Sequence, residues 1–260
     1  MTTRLTAIGS GKGGTGKTLI AVSLAQAFAH LGERVLLCDA DLGLSNAAVH
    51  LGISETGDLA GLLSGQKSLK DAVARVACGG RNSFDILAAP SGSGALADAD
   101  EAAVQRLIDA VAQDGAYDRV LFDLGAGVDA KVMQFAAHAD EVILVVTPDP
   151  ASLTDAYAFA KLLLRRTTTR VPLLLVNMAL NATEGRRIAE ALMSSARAFL
   201  KSTPESLGFI PYDARVPEAV RRQTPLLAAF PQAPAATAIA GIALRLHGAA
   251  GAPLAAAGLR

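Results

Sequence analysis

The chain has 260 residues, 51% hydrophobic but only 4% aromatic, with no Trp and a formal net charge of zero. That length suits one large domain burying roughly 70–75% of the surface its unfolded chain would expose. The balanced charge argues against a global basic field for nucleic acid and against an acidic disordered tail. No apolar run approaches the ~18–20 residues of a membrane span. With so few aromatics, the core must be built from Ala, Leu, Val and Ile.

In chain order, "RLTAIGS" (Arg4–Ser10) reads as a buried strand entering a loop. A helix is expected over 17–31, with Ile20, Leu24, Ala27, Phe28 and Leu31 at helical spacing and Gly32 as its C-cap. "RVLLCDAD" is the next strand, polar only at its C-terminal end. Further strands are expected at 84–88, 119–123, 142–147, 173–177 and 207–210, with helices at 100–113, 130–139, 152–166 and 183–200. The segments 90–101 ("PSGSGALADADE") and 248–258 are small and flexible in composition. Neither divides the chain, so a single domain over 1–260 with a flexible tail from 248 is expected. Cys38 lies inside an apolar strand and Cys78 in a loop with a surface-like composition, in no metal-like spacing. With no signal peptide ahead of them, they read as reduced thiols in a cytoplasmic protein.

Continuous apolar strands alternating with helices predict a mostly parallel central sheet covered on both faces. Such sheets bind ligands beyond the carboxyl ends of their strands. Ser10, Asp39, Asp41, Asp123 and Asn177 all fall at those ends, which predicts one site there.

Gly11-x-x-x-x-Gly16-Lys17-Thr18 satisfies the phosphate-loop pattern between a strand and a helix. In that arrangement the backbone N–H groups of Gly11 to Thr18, including Gly13, Gly14 and Thr15, curl around phosphates, helped by the helix N-terminus. Lys17 would reach the β- and γ-phosphates, and the Thr18 hydroxyl would ligate Mg²⁺. Asp123, ending its strand in "RVLFDLGAG", has the placement of a carboxylate that holds the metal through water. A buried strand ending in an unpaired Asp would be costly without a cation or donors nearby. Asp39 and Asp41 lie two apart and share one side of an extended segment, suggesting a cation or an attacking water between them.

"KGGTGKT", "DADLGLSN" and "FDLGAG" resemble the deviant phosphate loop and the two switch segments of the MinD/ParA-type ATPases. "VTPDPASLTDAYAFAKLL", "VNM" and "IPYDARVPEAV" extend that resemblance along nearly the whole chain. Together "TPDPASLTDAY" and "DADLGLSN" are most similar to the FlhG branch, MinD relatives that govern flagellar number and placement. The resemblance implies a three-layer P-loop NTPase fold of the SIMIBI class and an ATPase that binds ATP or ADP with Mg²⁺. It makes Lys12 the signature lysine, which reaches the nucleotide of a second subunit in a face-to-face, ATP-bound homodimer. An arginine finger supplied in trans works on the same logic. Asp41 would then position the attacking water with Asn46 as a helper, Asp39 would support the metal's outer shell, and Gly127 would let the second switch approach the γ-phosphate. Adenine recognition falls to Asn177, flanked by Pro211 and Asp213. Leu19 replaces the polar residue that relatives commonly carry after the threonine, which leaves only its backbone N–H for the α-phosphate.

The implied partners are a flagellar transcription activator, flagellar switch-ring proteins or an FlhF-like GTPase. The first strand is expected to begin by Arg4, so the N-terminal extension with which FlhG proteins often stimulate FlhF is not expected in this sequence. The last candidate helix, "AATAIAGIALRLHG", carries one Arg and one His among small alanines. It is expected to pack on the core, so the inner membrane face has little support as a second location beside the cytoplasm. Among rival functions, a ParA-like partition ATPase needs a basic DNA patch, and Arg165, Arg166, Arg170, Arg221 and Arg222 read as solvated helix ends. A cluster-carrying relative needs cysteines beside the switches or a CxxC, which Cys38 inside an apolar strand and Cys78 in a surface-like loop fit poorly. A tyrosine kinase of this fold needs a tyrosine-rich tail, and Tyr117, Tyr157 and Tyr212 all lie outside the tail. A small-molecule synthetase with its own substrate pocket stays open.

Overall fold

The computed structural model describes residues 2–41, 47–53, 57–79, 82–88, 100–167 and 170–248. Its strands are β1 (Arg4–Ser10), β2 (Val35–Ala40), β3 (Ala74–Ala77), β4 (Ser83–Leu87), β5 (Arg119–Ala126), β6 (Glu141–Val146), β7 (Leu173–Ala179) and β8 (Glu205–Pro211). They form one sheet in the order β3-β4-β2-β5-β1-β6-β7-β8. Every neighbouring pair is parallel except β3 with β4. The long helices are α1 (Lys17–His30), α5 (Glu101–Gln113), α6 (Ala130–His138), α7 (Pro150–Arg166), α8 (Ala182–Leu200) and α11 (Pro234–Gly248). Shorter ones are α2 (Ala47–Leu51), α3 (Leu59–Leu63), α4 (Leu69–Ala72), α9 (Arg215–Arg221) and α10 (Leu226–Ala229).

The period-2 alternation of the strands sorts their side chains onto two cores. Leu5, Leu36, Phe122, Leu144 and Leu174 face α5 to α8, whereas Ile8, Leu37, Leu121, Ile143 and Leu175 face α1 and α11. Helix α1 is buried along nearly its whole length, which explains why its sequence is apolar all round rather than striped. Helices α5 to α8 keep a wet face, and side-chain N-caps start them at Asp100, Asp129, Asp149 and Asn181.

The expected strands and long helices are present within a few residues. Strand β5 runs on to Ala126, so Asp123 lies inside it rather than at its end. The edge strand β3 and the short helices α2 to α4 have too few residues to show a period. Cys78 corrects its expected surface position: it is buried, because the Gln26 amide and a His30 ring nitrogen from α1 bond its carbonyl and draw the turn inward. Helix α11 packs on the core through Ala236, Ile239, Ile242 and Leu246 as expected. Among the described residues no helix is long and apolar enough to cross a membrane. Nearly all of 90–101, and all of the tail from 249 on, lie outside the described residues.

Candidate nucleotide site

The loop 11–16 leaves β1 and enters α1 through Gly16, whose φ of 89° is left-handed and whose position carries no side-chain cap. A left-handed turn here suits glycine alone, since a Cβ would also meet Asn177 Nδ2 at 2.4 Å. At Gly11 the constraint is closeness: a Cβ would lie 2.2 Å from the Asp155 carbonyl oxygen on α7. No acidic side chain occupies the first turn of α1, leaving its N–H groups and partial positive charge for an anion.

Lys17 is buried at the start of α1, and burial lowers its pKa while Asp123 and Asp41 oppose that shift. Asp39 and Asp123 are register partners on adjacent parallel strands, both buried. Asp39 accepts hydrogen bonds from the Asp41 N–H (3.1 Å) and the Ala47 N–H (3.2 Å), gripping both flanks of 42–46. Asp41 rests against the strand bearing Asp123, where a Cβ at Gly125 would meet its Oδ1 at 3.3 Å.

Asp123 is the anomaly. Neither of its carboxylate oxygens has a hydrogen-bond partner among the described residues, although the side chain is only 1% exposed. Burial, and then the charge of Asp39, push its pKa well above the ordinary carboxylate range. The Thr18 hydroxyl and the Lys17 ammonium pull it back without satisfying either oxygen. A buried carboxyl without a partner among the described residues, interacting with the Thr18 hydroxyl, fits a hydrated divalent cation, which Thr18 and Asp123 would hold. No group of three or more His, Cys, Asp or Glu capable of holding a metal occurs among the described residues.

Lys12 lies at the outer lip of the loop, half-exposed, its Nζ 2.7 Å from Asp149 Oδ1. Asp149 also accepts from the Thr147 hydroxyl (2.5 Å) and from the Ser152 N–H (2.9 Å), where it caps α7. These donors hold its carboxyl well below the usual range, the Lys12 contact foremost. The resemblance gives Lys12 a role only toward a second subunit; within the single chain its partner lies 137 positions away. The "DP" at 149–150 was the available signal, an N-cap acid before an N1 proline.

Asn177 is buried at the end of β7 and donates from Nδ2 to the Thr15 carbonyl at 2.7 Å. Pro211, at the end of β8, pairs with Ala179 on β7, so Asn177 and Pro211 share one corner. Asp213 follows them but spends both oxygens on backbone N–H groups, of Arg215 (2.9 Å) and of Ala235 at the start of α11 (3.1 Å). Gly127 keeps its left-handed φ of 100° and donates to the Ser10 carbonyl. Asn46 lies outside the described residues. The structure thus gathers Lys12, Lys17, Thr18, Asp39, Asp41, Asp123 and Asn177 at one edge of the sheet.

Comparison with known proteins agrees with this geometry. Residues 6–226 match the model of the CobQ/CobB/MinD/ParA nucleotide binding domain. The antiactivator FleN of Pseudomonas aeruginosa is 38% identical over 92% of this chain and 85% of its own length. The flagellum site-determining protein YlxH of Helicobacter pylori is 32% identical over 75% of this chain and 65% of its own. Among solved structures, the septum site-determining protein MinD of Pyrococcus horikoshii, complexed with Mg-ADP, superposes with a TM-score of 0.78. It is 27% identical and the match covers 96% of this chain and 98% of that one. The chain belongs to the CobQ/CobB/MinD/ParA nucleotide-binding family, as an ATPase of its MinD/ParA branch that uses Mg²⁺ and adenine nucleotide.

Proposed function

We propose that the protein is an FlhG-like molecular switch that closes into an ATP-bound homodimer, opens after slow hydrolysis, and acts on flagellar number or placement. The flagellar part rests on the similarity to FleN and YlxH. One observation carries the switch: a second loop lysine, Lys12, is half-exposed, paired with Asp149, and lines a cleft of about 370 Å³. Around the same sheet edge stand exposed apolar side chains, Leu180 (76% exposed), Tyr212 (63%), Met178 and Val128. A second copy would cover them.

Within one subunit, Lys17 and the loop N–H groups bind phosphates, while Asp41 orients the attacking water against the strand that carries Asp123. Bound Mg²⁺ supplies charge neutralisation at the phosphates. For Lys12 to serve the partner's nucleotide it must leave Asp149. Dimerisation is therefore an exchange of one ionic contact for another, and it answers to nucleotide state. The dimer would present a surface absent from the monomer, and a flagellar activator, a switch-ring protein or an FlhF-like GTPase is the class of partner that would read it.

Sedimentation with Mg-ATP and Mg-ADP tests this. The parent protein should double its mass with Mg-ATP only, Asp41→Ala should stay doubled for longer, and Lys12→Ala should remain single. A parent mass indifferent to nucleotide would overturn the switch.

A further inference from the structure

We infer that Asn177 is a positioning residue for the phosphate loop, holding the loop in its binding shape before any nucleotide arrives. This rests on reading the loop as a nucleotide site, but it assigns Asn177 work beyond recognising a base. The anchor spans the sheet: Asn177 is on β7, two strands from β1, with β6 between them. Its amide reaches the loop's Thr15 carbonyl, 162 positions earlier in the chain, at 2.7 Å. At 3% exposure the bond is screened from water. Room for it comes from Gly16, where any Cβ would collide with the same Nδ2.

The consequence follows from the planar trans peptide. The Thr15 carbonyl and the Gly16 N–H belong to one peptide unit and point in opposite directions. Fixing the carbonyl toward Asn177 therefore aims the Gly16 N–H away from Asn177. The backbone supporting Asn177 is itself unusual. Met178, the next residue, has a φ of 60°, and the β7–β8 register shifts between Val176 and Ala179. A non-glycine residue in that region is sustained by its surroundings, here an irregularity inside β7 next to the residue whose amide meets the loop.

Two variants and a ligand without a base test the assignment. Asn177→Asp keeps the size but replaces the donor with an acceptor, and Asn177→Ala removes both. Affinity is read by displacement of a fluorescent ADP with Mg-ADP, Mg-GDP and Mg-tripolyphosphate, and loop motion by ¹⁵N relaxation of residues 11–16 in nucleotide-free protein. Both variants should weaken Mg-ADP and Mg-tripolyphosphate by the same factor, about five- to tenfold, and loosen the free loop. The ADP-to-GDP preference should change less than the common loss. If Mg-tripolyphosphate binding and loop relaxation are unchanged while Mg-ADP binding falls, Asn177 is a base reader only and the inference is overturned. A parent protein that fails to bind Mg-ADP would sink the site assignment instead, a separate result.

Discussion

The two edges of the sheet treat buried charge in opposite ways. At the edge where the parallel strands begin, the chain satisfies its own charges. Arg119, almost fully buried, donates to Glu33 (2.8 Å), Glu141 (3.1 Å) and the Thr6 hydroxyl (3.1 Å), with its guanidinium 4.0 Å from the Phe28 ring centroid. Arg4 joins Glu141, and His247 of α11 lies 2.6 Å from Glu33. At the opposite edge the same strand, β5, carries Asp123 with neither oxygen satisfied. Fixed, mutually paired charge is structural. A buried carboxyl with no hydrogen-bond partner among the described residues, beside a glycine loop, marks a site for a ligand.

The largest effect should come from breaking the closed edge. Arg119→Met removes one buried cation and leaves the part-buried Glu33 and Glu141 without it, a loss of about 3 kcal/mol, the low end for broken buried pairs. Urea denaturation of nucleotide-free protein would show it; a change under 1 kcal/mol would mean that the edge is not the clasp it looks like.

At the open edge the sign reverses. The folded pKa of Asp123 is raised above the unfolded value near 3.9, so the folded state holds its proton more tightly. This group's contribution to stability is therefore greatest in acid and falls as pH rises above about 4. In EDTA, Asp123→Asn should flatten that decline and leave the protein no less stable at neutral pH, while Mg²⁺-dependent gain in ATP affinity drops about tenfold or more. Thermal melts across pH, with and without Mg-ATP, read both; a variant destabilised in EDTA would contradict the picture of an unsatisfied carboxylate.

The smallest effect concerns Lys12, which sits between the two regimes, paired but half-exposed. Asn remains a good N-cap for α7, so Asp149→Asn should keep the helix and lose the ionic hold on the lysine. The ATP concentration giving half-maximal dimer should fall by a few fold, measured by sedimentation. A rise would show that Asp149 serves the dimer rather than opposing it.

These contrasts also explain what the sequence could reveal. The alternation of strands and long helices was readable because each element is long enough to show its period. The phosphate loop was readable because glycine and lysine spacing is itself the mechanism. Arg119 drew no notice: a charge at a strand's start looks solvated, and its partners lie 86 and 22 positions away. The Lys12–Asp149 pair and the Asn177 contact with the phosphate loop were hidden for the same reason, since each joins segments far apart in the chain. Cys78 was misjudged because "CGGRN" has the composition of a surface turn, while its burial is set by α1.

That burial has a practical sequel. The chain has two cysteines, both buried, and desolvation raises both thiol pKa values, so neither thiolate is readily formed or reached by a labelling reagent. A cysteine introduced at the exposed position of Leu244, on α11 and away from the edge a second copy would cover, would be the one that a maleimide dye modifies quickly. Donor and acceptor dyes on separate pools of that variant would then report each closing and opening of two copies as a change in energy transfer. The native cysteines need not be removed first.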